Sequence, residues 1–159
     1  MLKKIEKYIN HFIEIFSMSL LVIMTVIVTI TVFSRYFLHK TPGWSDESAL
    51  LSMVWFGFLS MAIGTRDHLH IRITMLDMIL SEKAKYVLDW VSRILILLFS
   101  LFMIIEGINM CKVATGNSMP GLKLNSAFLY AAVPISGVGI LCYMVVESIK
   151  TIMNKEDNK

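Results

Sequence analysis

Charged residues are scarce in this sequence. Acidic and basic side chains together make up 17% of the 159 residues, whereas a soluble domain usually carries about a quarter. Hydrophobic residues make up 56% of the chain, and its mean hydropathy is +0.68. A surface with so few charges suits lipid better than water. The composition therefore predicts an integral membrane protein with no soluble domain.

Cysteine is also rare, and basic residues form no patch. Cys111 and Cys142 are far apart and make no C-x-x-C pair, which excludes the spacing of a disulfide oxidoreductase or a zinc site. The net charge of +3 comes from bases that stand in short clusters between apolar runs. That arrangement is typical of membrane topology rather than of nucleic-acid binding.

Four apolar segments are long enough to cross a bilayer. Residues 15–34, 48–65 and 124–146 carry no charged side chain, and each spans the roughly 30 Å hydrocarbon core at about 1.5 Å per residue. The other segment has charges near its ends, at Asp89, Arg93 and Glu106, where side chains can reach the interface. We predict an all-α protein of one membrane domain, residues 1–159, with transmembrane helices at about 13–35, 45–65, 84–111 and 124–149.

The distribution of bases predicts the orientation. With four spans, both termini lie on the same side as the segment between helices 2 and 3, and that side holds 11 of the 15 lysines and arginines. The other side holds Arg35, Lys40, Lys112 and Lys123. Because bases accumulate in cytoplasmic segments, both termini are predicted to be cytoplasmic.

The segment between helices 2 and 3 has helical character of its own. On a helical wheel, one narrow polar stripe contains His70, Thr74, Asp77 and Ser81. The apolar residues fall elsewhere on the wheel: Leu69, Ile73, Leu76, Ile79 and Leu80. Residues 69–80 are too few to span the membrane. We therefore predict a short interfacial helix at about 69–80, with the polar stripe facing water or a partner.

The predicted spans contain few charged or metal-binding side chains. A charge at the bilayer centre costs about 2.5–3.5 kcal/mol on insertion scales, so such residues mark function where they occur. Glu106 is the one candidate, and it has an alternative interpretation as an interfacial acid near the end of helix 3. The histidines all lie at or beyond helix ends, which disfavours a haem-carrying subunit. We expect no active site, metal or cofactor.

Two polar clusters remain at the helix ends. One combines Arg35-Tyr36, Lys40 and the run Trp44-Ser45-Asp46-Glu47, and the other runs from Arg66 through His70 to Arg72. The loop between helices 1 and 2 is short, so we expect Arg35 to pair with Asp46 or Glu47. A purely structural interpretation also stands, in which the aromatic residues form an interfacial belt and the acids complement a helix N-terminus.

The order of these motifs resembles the small membrane subunit, of the DctQ type, of TRAP (tripartite ATP-independent periplasmic) transporters. The similar elements follow one another along nearly the whole chain: Arg35-Tyr36, Trp44-Ser45-Asp46-Glu47, Trp55-Phe56-Gly57-Phe58-Leu59, Arg66, His70-Ile71-Arg72, and Met119-Pro120-Gly121 to Tyr130 with Pro134. Asp46 departs from the family pattern, which more often has Glu there.

The resemblance implies a non-catalytic scaffold in the bacterial inner membrane. Its partners would be a large subunit that binds substrate and sodium, and a periplasmic binding protein that delivers an organic anion of the carboxylate or sialic acid class. The residues expected to contact these partners are Arg35, Tyr36, Lys40, Trp44, Asp46, Glu47, Arg66, His70 and Arg72. Two alternatives are an autonomous four-helix transporter and the membrane anchor of a redox complex.

Overall fold

The computed structural model describes residues 2–66 and 82–156. In that part of the chain, four helices are long and apolar enough to cross a membrane, over Asn10–Leu38, Ser45–Thr65, Trp90–Ala114 and Ala127–Val146. The prediction of an all-α protein with four transmembrane helices is confirmed. The predicted interfacial helix at 69–80 lies outside the described residues, as do His70 and Arg72.

Helix α1 covers Leu2–Phe33 and continues as a π-helical turn, Ser34–Leu38. Its hydroxyl groups bond within the helix: Ser19, Thr25 and Thr29 each donate to the carbonyl four residues earlier, at 2.7–2.8 Å. Such bonds satisfy polar side chains that face lipid. The helix ends at His39, which adopts the left-handed conformation with φ 52°.

Helix α2 covers Ser45–Arg66, and its first residue bonds back to the preceding loop. The Ser45 hydroxyl and its backbone N–H both donate to the Pro42 carbonyl, at 2.8 and 3.1 Å, and Ser45 is fully buried. Asp46 and Glu47 occupy the first turn, where negative charge complements the helix dipole. The end of the loop from 39 to 44 is therefore bonded to the start of α2.

Helix α3 covers Glu82–Ala114, and a small hairpin follows it. Strands β1, Ser118–Met119, and β2, Leu124–Asn125, pair antiparallel. The fourth span then begins with the short helix α4, Ala127–Tyr130, and continues as α5, Ala132–Glu156. It begins three residues later than our prediction of 124, because Leu124 and Asn125 belong to the hairpin.

The interruption of the fourth span has a local cause. Pro134 has no backbone N–H, so it cannot donate to the Tyr130 carbonyl four residues earlier. The short helix α4 therefore ends at Tyr130, and the chain makes a turn at Ala131 before α5 begins. A Cβ added at Gly107 of α3 would lie 2.7 Å from the Pro134 side chain, so only glycine permits this approach.

The spans pack in the order α1, α2, α5, α3 rather than in chain order. The buried apolar core lies between α2, α3 and α5 and contains Ala62, Met103, Ile140 and Met144. Helix α1 packs mainly on α2, where Ser17 and Ser60 share a hydrogen bond of 3.2 Å. Most of its apolar side chains are exposed, which suits a helix surrounded by lipid or by a partner.

Candidate functional site

The strongest polar architecture lies where the loop 39–44 meets the hairpin 115–126. We call residues 42–47 and 119–123 together the corner. Glu47 is half-buried, and its Oε2 atom accepts the backbone N–H of Leu122 at 2.9 Å. One carboxylate from the start of α2 therefore holds the hairpin that precedes the fourth span.

Backbone packing reinforces the same contact. Gly121 lies so close to Gly43 that a Cβ added to it would overlap the Gly43 carbonyl, and it would also lie 3.0 Å from Glu47 Oε2. Met119, two residues earlier, is buried. The two loops are thus joined by a hydrogen bond and by a contact that admits no side chain.

The expected pairing of Arg35 is wrong. Among residues 2–66 and 82–156, no ion pair joins Arg35 to Asp46 or Glu47, because the Glu47 carboxylate is directed to the hairpin and Arg35 stays exposed on the π-helical turn. As a base in the last turn, Arg35 instead complements the C-terminal dipole of its own helix.

The other expected contact residues fall into two groups. Trp44 and Asp46 belong to the corner and are exposed, and Tyr36 and Lys40 are exposed in the chain just before it. Arg66 ends α2 at the opposite end of the molecule. Arg66, the described residue of the second polar cluster, is therefore not part of the corner.

The sequence did not predict the two residues of the corner that make their contacts through the backbone. Leu122 and Gly121 carry no side-chain chemistry, and the only signal was the Pro120-Gly121 pair, which is typical of a turn. A second contact was missed beside it: Trp55 Nε1 donates to the Phe128 carbonyl at 3.0 Å and joins α2 to α4.

The hairpin is also tied to the fourth span through Asn125. Its side-chain amide donates to the Thr115 carbonyl at 3.0 Å, and its side-chain oxygen accepts the Ala127 N–H at 2.8 Å. Asn125 thus closes the base of the hairpin and accepts the first backbone N–H of α4. These bonds hold the two ends of the hairpin together and join it to α4.

Ligand-binding chemistry is sparse in the described part of the chain. Across residues 2–66 and 82–156, no group of three or more His, Cys, Asp or Glu side chains could hold a metal ion. A cleft of about 460 Å³ lies between α2 and α3, and Ile140 of α5 also lines it. Its lining is almost entirely apolar. The geometry therefore suits protein contacts better than a small polar substrate.

Comparison with known proteins identifies the family to which the chain belongs. The family described as "Tripartite ATP-independent periplasmic transporters, DctQ component" matches residues 24–154. The chain belongs to the DctQ family. The resemblance seen in its sequence is confirmed, and the protein is a transporter component rather than an enzyme.

Relatives of this DctQ protein carry consistent names. A putative TRAP transporter small permease protein of Haemophilus influenzae is 25% identical over 154 residues, which cover 97% of this chain and 93% of that protein. The sialic acid TRAP transporter small permease protein SiaQ of Vibrio cholerae is 26% identical over 153 residues, which cover 96% and 86%. With its four spans, the DctQ chain is a multi-pass protein of the bacterial inner membrane.

Proposed function

We propose that this DctQ chain is the non-catalytic scaffold subunit of a sodium-coupled transporter for an organic anion. In this proposal it supports the large membrane subunit, which moves the substrate, and it offers the corner to a periplasmic binding protein. The family description itself names a tripartite, ATP-independent periplasmic system, which supports partners of both kinds.

The corner is the observation that carries the proposal. A docking surface needs a fixed shape, and here Glu47 and the contact between Gly43 and Gly121 join the two loops. Exposed charges of both signs surround this contact, at Arg35, Lys40, Asp46 and Lys123. Charges at the rim of such a surface act mainly on the rate of encounter with a partner.

The orientation supports the same assignment. The side that carries the corner holds only four of the 15 bases, so the positive-inside rule directs the corner to the periplasm and both termini to the cytoplasm. A periplasmic binding protein can reach the corner only in this orientation.

The interior of the chain also fits a supporting role. Among the residues whose burial the structure describes, the side chains buried between the helices are apolar or carry a single hydroxyl, as at Met103, Ile140, Ser100 and Ser136. A site for a carboxylate and sodium needs charged or carbonyl oxygen ligands and donors near the midplane. We assign that site to the large subunit.

The most specific part of the proposal is the chemical class of the substrate. The name of the Vibrio cholerae relative includes sialic acid, which is a carboxylate-bearing sugar acid. We propose an organic anion of the carboxylate or sialic acid class, delivered by the binding protein.

Reconstitution in proteoliposomes tests this function. We expect no solute accumulation with the chain alone, and sodium-dependent accumulation of an organic anion when the large subunit and the binding protein are present. Omitting this chain should abolish accumulation. Uptake by the purified chain without any partner would instead favour the autonomous transporter, and a haem absorbance band would favour a redox anchor.

A further inference from the structure

Glu106 lies in the membrane-spanning part of α3 with its side chain exposed. It is the only acidic or basic residue between Arg93 and Lys112, a stretch of about 27 Å at about 1.5 Å per residue. It stands about 9 Å along the helix from Lys112, beyond the easy reach of a glutamate side chain. Among residues 2–66 and 82–156, the Glu106 side chain makes no ion pair or hydrogen bond.

The residues around Glu106 form a regular stripe. They recur at alternating intervals of four and three residues, and every one is exposed: Leu95, Phe99, Phe102, Glu106, Asn109 and Val113. A helix can present a seam with this spacing to a neighbouring helix. A second exposed series on α3 shares the spacing, so Glu106 is what distinguishes this stripe: Ile94, Leu98, Leu101, Ile105 and Ile108. The packed face of α3 is different and includes Ser100, Met103 and Gly107. We call the exposed series that contains Glu106 the α3 stripe.

The α3 stripe runs directly into the apolar cleft. Leu95 and Phe99 belong to both, and across the cleft α2 presents Met61 and Gly64. A Cβ added at Gly64 would meet nothing within 4 Å, so there is open space beside this backbone. Small residues beside open space let a second helix approach closely in lipid.

We propose that the cleft and the α3 stripe together receive a transmembrane helix of the large subunit, which places a lysine or arginine opposite Glu106. This inference rests on the proposed function, because it takes the large subunit as the partner. Acyl chains cannot satisfy a carboxylate, and lipid phosphates repel it. A two-fold symmetric contact between copies of this chain would bring one Glu106 against the other at the same depth.

Site-specific photocrosslinking in the assembled complex tests the location. A photoreactive phenylalanine analogue is placed at Phe99, on the stripe, or at Leu101, on another face of the same helix. The two side chains are equally exposed, at 47%, so they form a matched pair. We expect adducts with the large subunit from position 99 to exceed those from position 101 several-fold. Equal yields, or adducts only with a second copy of this chain, would overturn the proposal.

Substitution of Glu106 tests the chemistry. Glu106→Leu should reduce the large subunit recovered with this chain at limiting concentration by about three- to thirty-fold, the range for one interhelical polar contact in a membrane. Glu106→Gln keeps an acceptor oxygen and should lose less. A leucine side chain is stable in the hydrocarbon core of the bilayer. The yield of the chain expressed without its partner should therefore not fall. Unchanged recovery of Glu106→Leu would refute the contact.

These outcomes separate the two proposals. If the wild-type chain recovers no large subunit at all, the scaffold function fails. If the wild-type complex forms but position 99 gives no preferential adduct, the scaffold function stands and only this docking face is wrong.

Discussion

Gly121 shows how one residue without a side chain can control the corner. An added methyl group would overlap the Gly43 backbone and press on the Glu47 carboxylate. We expect Gly121→Ala to destabilise the protein by about 1–3 kcal/mol, the usual cost of overpacking. Thermal unfolding in detergent measures this loss.

The same hairpin supplies the control for that substitution. A Cβ at Gly116 would meet only the Val113 carbonyl, at 4.0 Å, so Gly116→Ala should change stability by less than about 0.5 kcal/mol. If both substitutions prove equally mild, the close approach of the two loops is not a constraint on the protein.

Two buried serines make a second comparison at the residue scale. Ser100 donates to the Leu97 carbonyl at 2.8 Å, whereas within residues 2–66 and 82–156 the Ser136 hydroxyl has no hydrogen-bond partner. A buried unsatisfied polar group costs about 1–3 kcal/mol. We therefore expect Ser136→Ala to be neutral or stabilising in thermal unfolding, and Ser100→Ala to be more harmful. If Ser136→Ala proves more destabilising than Ser100→Ala, the Ser136 hydroxyl makes a hydrogen bond in the membrane-embedded protein.

At the scale of the elements, the fourth span depends on contacts from its neighbours. Its first turn, α4, has only four residues and is separated from α5 at Ala131. So short a helix has little stability of its own, because helix nucleation is unfavourable. The hydrogen bonds from Trp55 to the Phe128 carbonyl and from the Ala127 N–H to the Asn125 side chain hold α4 in place.

Replacing Trp55 tests that dependence. Trp55→Phe keeps an aromatic ring but removes the donor to Phe128, so we expect a loss of about 1 kcal/mol in the free energy of unfolding. Trp44→Phe is the control, since among the described residues the Trp44 indole donates to no acceptor. Equal effects of the two substitutions would count against a specific role for Trp55.

For the molecule as a whole, cysteine labelling can determine the orientation in the membrane. In a background in which Cys111 and Cys142 are replaced by serine, single cysteines are introduced at Lys40 and at Lys155. A membrane-impermeant thiol reagent should modify position 40 in intact cells and spare position 155 until the membrane is permeabilised, as the positive-inside rule requires. The opposite pattern would place the corner in the cytoplasm.

Docking of the binding protein is the second prediction for the whole molecule. Lys40 is exposed beside the corner and makes no hydrogen bond or ion pair within the described residues. Lys40→Glu should leave assembly with the large subunit intact but change the association rate of the binding protein, and the change should diminish at high salt. Lys40→Gln, which removes the charge without reversing it, should have a smaller effect. Salt-independent rates for both variants would exclude steering by Lys40.

The sequence alone determined the four-helix frame and the family. In lipid, each backbone N–H and C=O must be satisfied within its own helix, so the length and hydropathy of a segment suffice to identify a span. The motifs around Arg35, Trp44 and Trp55 then indicated the DctQ type. These features depend on residues close together in the chain.

Only the tertiary structure decided which side chains and backbones meet. Glu47 and Leu122 are 75 residues apart, and no local pattern indicates that the carboxylate binds this N–H rather than Arg35. Likewise, composition places Glu106 within a span but does not reveal that its side chain is exposed. The physical reason is that lipid constrains each helix separately, whereas the packing order and the directions of polar groups at helix ends depend on loops that join distant parts of the chain.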